Sequence, residues 1–158
     1  MNAIELLKTQ HREVESLFQR CKTAQTDEKI SVLGKVCEAL TLHATLEELY
    51  FYPLLSENNL EEDRGRSQQE HQEAKQLISQ VLQAKQTDPN LDQLLLQLES
   101  SVLAHVQEEE RAVFPRLQQA IDEQQLIRVG TEMSQAIGRL QQQELLALAE
   151  NQQSPVAP

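Results

Sequence analysis

The chain has 158 residues, enough for one domain with a substantial core and too few for an obvious second one. Its 25 acidic side chains outnumber 14 basic ones, and the resulting net charge of −11 disfavours nucleic acids and anionic membrane surfaces as partners. With only four glycines and five prolines in a sequence rich in Leu, Glu and Gln, the composition predicts an all-α fold.

The sequence also indicates a cytoplasmic location. No apolar run approaches the length of about 20 residues that a membrane span needs. Acidic residues interrupt the first segment, where a secretion signal would need an unbroken apolar stretch. Cys21 and Cys37 lack the spacing of a redox or zinc motif, so we expect reduced, half-buried thiols.

The spacing of apolar residues predicts five helices in chain order. The second is expected to start at a cap formed by Asp27. Thr87, Asp88 and Pro89 combine a capping residue with proline at the first helical position, and so predict the start of the fourth. The predicted ranges are Asn2–Ala24, Asp27–Glu57, Leu60–Lys85, Pro89–Ala120 and Glu123–Glu150. We therefore expect one helical domain over 1–150, followed by a disordered tail over 151–158.

An internal repeat lies beneath this order. HATLEELYFYP at 43–53 and HVQEEERAVFP at 105–115 share a histidine, a glutamate four residues later and a final aromatic–proline pair. HREVESLF, which starts at residue 11, aligns with HQEAKQLI, which starts at residue 71, and each segment begins with a histidine. The first two and the next two helices are therefore predicted to be copies of one helical hairpin, related by a pseudo-two-fold axis.

Polar residues stand on the apolar stripes where a core is expected. His43 and Glu47 are one turn apart on the stripe of the second helix, and His105 and Glu109 repeat this on the fourth. The first and third helices add His11 and His71. Burying these groups without compensation would cost several kcal/mol, which a pair of cations would offset.

The pattern predicts a two-ion site with room for a ligand. If two six-coordinate ions share two bridging carboxylates and one oxo or hydroxo bridge, the six side chains leave two positions open. The alternative for any one of these residues is structural, because a lone core histidine is usually just hydrogen bonded. Four such histidines and a duplicated motif favour the metal site.

Three further residues are candidates for a supporting role. Tyr50, seven residues after His43, is expected on the same stripe, where its hydroxyl could bond to a ligand, although core packing is the commoner role. Glu15 and Lys75 each follow a ligand histidine by four residues and could pair with each other, or Glu15 could be a spare ligand. A solvated salt bridge is the simpler expectation for both. Phe51, Tyr52 and Phe114 are expected in the core.

The order His, H-x3-E, His, H-x3-E, with an aromatic–proline pair after each second element, resembles the hemerythrin-like HHE cation-binding domain over residues 3–135. The resemblance implies an up-down four-helix bundle with a fifth, closing helix. It also implies two non-haem iron ions, oxo- or hydroxo-bridged, with the ligands His11, His43, Glu47, His71, His105 and Glu109. Oxygen-carrying members have H-x3-H on the third helix, where this chain has Lys75, so the resemblance implies one more open site.

Three functions remain open at this point. The first is binding or sensing of dioxygen, nitric oxide or iron without turnover, and the second is an enzyme that reduces peroxide or nitric oxide or oxidises iron. The third is a structural bundle that binds stray zinc. The fifth helix carries an apolar stripe that could cap the bundle or join two chains in a homo-oligomer, formed by Leu126, Val129, Met133, Ile137 and Leu140.

Overall fold

The computed structural model describes residues 1–84 and 88–153, with the backbone alone described over 144–153. Five helices form the described part of the chain, which contains no strand, so the all-α prediction is confirmed. Two of them are interrupted by a π-helical turn. Helix α1 is Ala3–Thr23; α2 is Thr26–Leu46, a π turn Glu47–Phe51 and Tyr52–Glu57; α3 is Glu61–Gln83; α4 is Leu91–Glu108, a π turn Glu109–Val113 and Phe114–Ala120; α5 is Glu123–Gln153.

Two predicted helix starts are wrong. Helix α2 begins at Thr26 with Gln25 at the cap, so Asp27 lies inside its first turn. Helix α4 begins at Leu91 instead of Pro89, because Asp88 accepts the Asn90 N–H at 2.9 Å through Oδ1 and the Leu91 N–H at 3.1 Å through its carbonyl. These two bonds close a turn ahead of the helix. Lys85 and Thr87 lie outside the described residues.

Helix α5 continues to Gln153, and residues 154–158 lie outside the described part. The boundary after residue 150 and the disordered tail therefore stay predictions. No helix among the described residues is both long enough and apolar enough to cross a bilayer.

The helices form an up-down bundle in which α1 packs along α2, α3 along α4, and α5 across α1 and α2. Its apolar core consists of two clusters. The α5-side cluster joins the start of α1, the ends of α2 and α4, and α5. The distal cluster joins the second half of α1, the first part of α2, the end of α3 and the first part of α4. The predicted ligands lie in a layer between these two clusters, since His11, for example, stands between Leu7 and Val14.

The π turns follow from the two internal prolines. Pro53 and Pro115 lack an N–H and would clash with a carbonyl one turn earlier in a regular α-helix. An extra residue in that turn relieves the conflict, so the Tyr52 N–H bonds to the Glu47 carbonyl five residues back and the Phe114 N–H bonds to that of Glu109. Residues beyond the turn are consequently rotated relative to a regular helix.

Helix α5 closes the bundle through the apolar stripe predicted on it. Leu126 and Met133 are buried, and Val129, Ile137 and Leu140 pack half-buried against the α5-side cluster. This apolar stripe therefore caps the bundle. Association of two chains through this helix stays a prediction.

Both cysteines are free and buried. Burial raises the pKa of the Cys37 thiol to about 11, so this thiol stays protonated at neutral pH. The expectation of reduced thiols used as core fillers agrees with this placement, although burial is more complete than predicted.

Candidate metal centre

The six predicted ligand side chains meet in the middle of the bundle, and all are buried. Each carboxylate lies between two imidazoles. Glu47 is 3.1 Å from His43 Nε2 on its own helix and 2.9 Å from His71 Nε2 across the bundle. Glu109 is likewise 3.1 Å from His105 Nε2 and 3.2 Å from His11 Nε2. One His and one Glu per H-x3-E motif therefore reach the same point from neighbouring levels of a helix.

These donors form two overlapping groups. One contains His11, His43, Glu47 and Glu109, and the other contains Glu47, His71, His105 and Glu109. Within each group one donor atom from every residue lies within 4.8 Å of all the others. Both carboxylates belong to both groups, so each would be able to hold a cation in either group.

The buried donor atoms lack hydrogen-bond partners. This holds for Nε2 of His11 and His43 and for both carboxylate oxygens of Glu47 and Glu109 among the described residues. Unpaired polar atoms are costly to bury and rare in folded proteins. Because they converge on a common centre without hydrogen-bond geometry between them, a pair of cations fits the residues present.

The outer nitrogen of each imidazole is also held. His11 Nδ1 donates to Glu110 at 2.9 Å, His43 Nδ1 to the Gln10 side-chain oxygen at 2.9 Å, and His105 Nδ1 to Glu70 at 2.5 Å. The Tyr52 hydroxyl lies against His71, 2.9 Å from Nδ1 and 3.0 Å from Nε2. Such partners fix the orientation of metal-binding histidines and are typical of metal sites.

A cavity of about 170 Å³ adjoins the histidines. It lies between α2 and α3, with α1 and α4 beneath, and all four histidines line it. Its other walls are mostly aliphatic, and the exposed Thr41 and Lys75 mark the side where it approaches solvent.

The family model for the hemerythrin HHE cation-binding domain matches residues 2–117 of this chain. The chain belongs to the hemerythrin HHE cation-binding domain family. A crystal structure of an HHE cation-binding domain-containing protein from Mycobacterium kansasii superposes with a TM-score of 0.85, at 23% identity, covering 94% of this chain and 93% of that one. This likeness extends the shared fold through α5.

A protein of Nostoc sp. named as a DNA nickase is 27% identical over 143 residues. The match takes in 90% of this chain and 41% of the Nostoc protein, so this chain spans about two fifths of that relative's length.

The histidine partners outside the HHE motif were not predicted, although the repeat contains a signal for them. Gln10 and Glu70 each directly precede a ligand histidine, and each contacts the histidine of the next motif. Glu48 and Glu110 each directly follow a ligand glutamate, and they lie 3.6 Å from His71 Nδ1 and 2.9 Å from His11 Nδ1. Their repetition in both copies distinguishes them from ordinary surface charges.

The three supporting candidates lie where the simpler expectation put them, with core packing for Tyr50 and surface salt bridges for Glu15 and Lys75. Tyr52, and not Tyr50, contacts a ligand histidine, because the π turn rotates the residues that follow Glu47. Tyr50 is half-buried against the α5-side cluster. Glu15 pairs with Arg12 at 3.1 Å and Lys75 with Glu48 at 2.5 Å, both near the surface, so Glu15 and Lys75 do not pair with each other.

The two halves differ where Tyr52 stands. Its counterpart in the second copy is Phe114, whose ring stacks on His11 with centroids 5.8 Å apart and planes 6° from parallel. At this pair of repeat positions, the first copy therefore has a hydroxyl against a ligand histidine and the second copy has none. Phe114 shows that a phenyl ring is accommodated at this place in the repeat.

Tyr52→Phe is expected to weaken cation binding at the donor group that contains His71 by roughly 10- to 100-fold, the usual effect of losing an outer partner of a ligand histidine. His71 belongs to one group only, so cation binding at the other group should be little affected. Competition with a chelator of known affinity measures this effect. Tyr50→Phe is the matched control and should leave both affinities unchanged; an equal loss in both variants would contradict the role given to Tyr52.

The ionisable groups of the centre stabilise one another in their charged forms. Burial alone would lower the pKa of His105, but the negative charge of Glu109 and close contacts with Glu109, Glu47 and Glu70 raise it well above its ordinary value of 6.5. Burial alone would raise the pKa of Glu47, but the positive charge of His43 and close contacts with His105, His43 and His71 bring it well below 4.5. In the metal-free chain, protons on the imidazoles thus balance the carboxylate charge that metal cations would otherwise balance.

Metal-free protein is expected to be most stable between about pH 4.5 and 6.5. His105, with a raised folded pKa, contributes stability that is complete below 6.5 and is lost as the pH rises through that pKa. Glu47, with a lowered folded pKa, contributes stability that is present above 4.5 and is lost as the pH falls through its own. Thermal unfolding in the presence of chelator from pH 4 to 9 measures the loss of stability on both sides of this pH range.

Cation binding should show the opposite trend above pH 6.5, since protons must leave the imidazoles before ions bind, and affinity should rise with pH. A melting temperature of the metal-free chain that stays constant from pH 6 to 9 would contradict the raised pKa of His105.

Proposed function

We propose that the protein holds two iron ions and uses them to bind a small diatomic or peroxide ligand, such as dioxygen, nitric oxide or hydrogen peroxide. The observation that supports this most is the pair of donor groups sharing Glu47 and Glu109, with inward atoms that lack any other partner. Mixed imidazole and carboxylate donors suit iron, and membership of a cation-binding family favours metal over a purely structural role. When bound, iron would supply coordination positions and redox capacity.

Charge balance supports the same proposal. Two divalent ions bring four positive charges, and the carboxylates in the centre or against its imidazoles supply the balancing negative charge: Glu47, Glu109, Glu70, Glu110 and Glu48, of which Glu48 is also paired with Lys75. Arg12 contacts Glu110 from outside and holds its carboxylate on His11. The chain's own residues thereby fix the orientation of the imidazoles and exclude water from the donor layer.

The ligand would approach through the cavity beside the histidines. This cavity is lined by every ligand histidine, whereas the α5-side cluster seals the opposite face of the donor layer with Phe51 and Phe114. The cavity would therefore give small uncharged molecules a short route to the centre between α2 and α3. The name of the Nostoc relative adds no activity to this proposal, because this chain covers 41% of that protein and its net charge of −11 opposes association with phosphates.

Metal content and optical spectra test the proposal. Protein from iron-replete cells should contain two irons per chain and show charge-transfer absorption that changes when dioxygen, nitric oxide or peroxide is added. Zinc as the main metal, or iron whose spectrum responds to none of the three ligands, would overturn it. Loss of substrate over many equivalents would assign an enzyme, and a stable stoichiometric adduct would assign a binding protein.

A further inference from the structure

We propose that the cavity between α2 and α3 is a binding site for a compact apolar organic molecule of about six non-hydrogen atoms. The inference goes beyond the proposed function, because it concerns a ligand larger than a diatomic molecule and a site that the chain forms by itself. At about 170 Å³ the cavity has the size of apolar cavities, about 150 Å³, that stay dry and hold benzene or xenon.

The two halves of the chain show why the space exists. Position 74 is the repeat counterpart of position 14, and position 44 is the counterpart of position 106. Val14 and Val106 are buried where α1 faces α4, whereas Ala74 and Ala44 occupy the corresponding places where α3 faces α2. Ile78 likewise stands where the other copy has Phe18. Smaller side chains on one side of the pseudo-symmetric bundle leave the cavity there.

The third helix is thinly packed at the same level. Between His71 and Val81 no residue of α3 is fully buried. The core face of that stretch carries Ala74, Leu77 and Ile78, all half-buried. Space under α3 is therefore accessible without breaking a dense core.

Most polar groups around the cavity lie close to other polar groups of the protein. Every ring nitrogen of the four histidines lies between 2.5 and 3.2 Å from a partner in the centre or its outer contacts. The hydroxyls of Thr41 and Thr45 donate back to carbonyls of their own helix at 2.8 Å, and Lys75 is paired with Glu48. Water in the cavity would find few hydrogen-bond partners. A polar ligand would give up its hydrogen bonds to water without replacing them, so the walls favour an apolar molecule.

The test is titration of the purified full chain with benzene, as isolated and after removal of metal, followed by calorimetry and ligand-observed NMR. Saturable binding with one site is expected in both forms. The double variant Ala44→Val/Ala74→Val copies the valines of the other half into the cavity and should weaken binding at least tenfold. Ala74→Leu fills the same space by one substitution and should do the same, while Ala104→Val on the exposed face of α4 should bind as the unmodified chain does.

Pyrazine, a polar molecule of the same size, is expected not to bind at equal concentration. The proposal is overturned if benzene does not bind the unmodified chain, if the filled variants bind it undiminished, or if pyrazine binds as well as benzene. Since the metal-free form is included, failure to find iron would leave this result interpretable by itself.

Discussion

Replacing Glu109 with alanine is expected to remove both bound cations, whereas replacing His43 with alanine is expected to remove one. Glu109 belongs to both donor groups, and its carboxylate lies 3.1 Å from His105 and 3.2 Å from His11. His43 belongs to one group, so the group of Glu47, His71, His105 and Glu109 stays complete without it. The size of the loss thus depends on whether a residue is shared.

The measurement is the ratio of metal to protein after anaerobic reconstitution with ferrous iron and removal of excess ions. The unmodified chain should retain two ions, His43→Ala one, and Glu109→Ala fewer than one. Glu108→Ala is the matched control, because Glu108 precedes Glu109 on the same helix but reaches outward to Arg66 at 3.1 Å. Two ions in Glu109→Ala would contradict a shared carboxylate, and loss of both in His43→Ala would contradict independent groups.

The same variants also test the effect of ions on folding, because burying the charged groups of the centre without ions costs free energy. Two fully buried carboxylates face four imidazoles, and several of their atoms have no hydrogen-bond partner. Ions that bind the folded chain and not the unfolded one stabilise it in proportion to the logarithm of their concentration over the dissociation constant. A rise in melting temperature with iron should therefore accompany binding in the unmodified chain and be nearly absent in Glu109→Ala.

The order of the five helices and the convergence of six side chains could be predicted from the sequence alone, although two helix starts could not, because the order and the convergence depend on a regular period. His43 and Glu47 stand one turn apart on an apolar stripe, and nothing between them disturbs the helix. Beyond Glu47 the same period failed, since it assumed an uninterrupted α-helix and so favoured Tyr50 over Tyr52. Pro53 was the available signal: in the middle of a helical pattern it predicts a local change of pitch.

The outer partners and the cavity were missed for a different reason. A charged residue next to a ligand, such as Glu70 or Glu110, is usually a solvated residue, and its direction depends on the neighbouring helix. Comparing the two copies would have identified Glu110, because its counterpart Glu48 also follows a ligand glutamate. The cavity depends on Ala44 and Ala74 facing each other across two helices, and this requires knowledge of which helices are neighbours.

Gly130→Ala is expected to destabilise the fold by about 1–3 kcal/mol, as overpacking of a tight contact does, although alanine is normally the better helix former. A Cβ at position 130 would lie 2.5 Å from the Met1 carbonyl oxygen and 2.7 Å from the Ala3 nitrogen. Both are backbone atoms and cannot rotate away. Asn2 fixes this segment further, since it caps α1 through Glu5 and donates from its side chain to Glu123 at 2.8 Å.

Gly138→Ala on the same helix provides the matched control. Nothing lies within 4 Å of a Cβ there, so the substitution should stabilise the helix by about 0.5–1 kcal/mol. Thermal unfolding of both metal-free variants should show opposite shifts, a decrease of roughly 2–12 °C for Gly130→Ala and an increase of roughly 1–4 °C for Gly138→Ala. Because α1 carries His11 two turns beyond this contact, Gly130→Ala should also weaken iron binding. Equal melting temperatures for the two variants would contradict the prediction, since they would show that α5 can shift away from α1 without loss of stability.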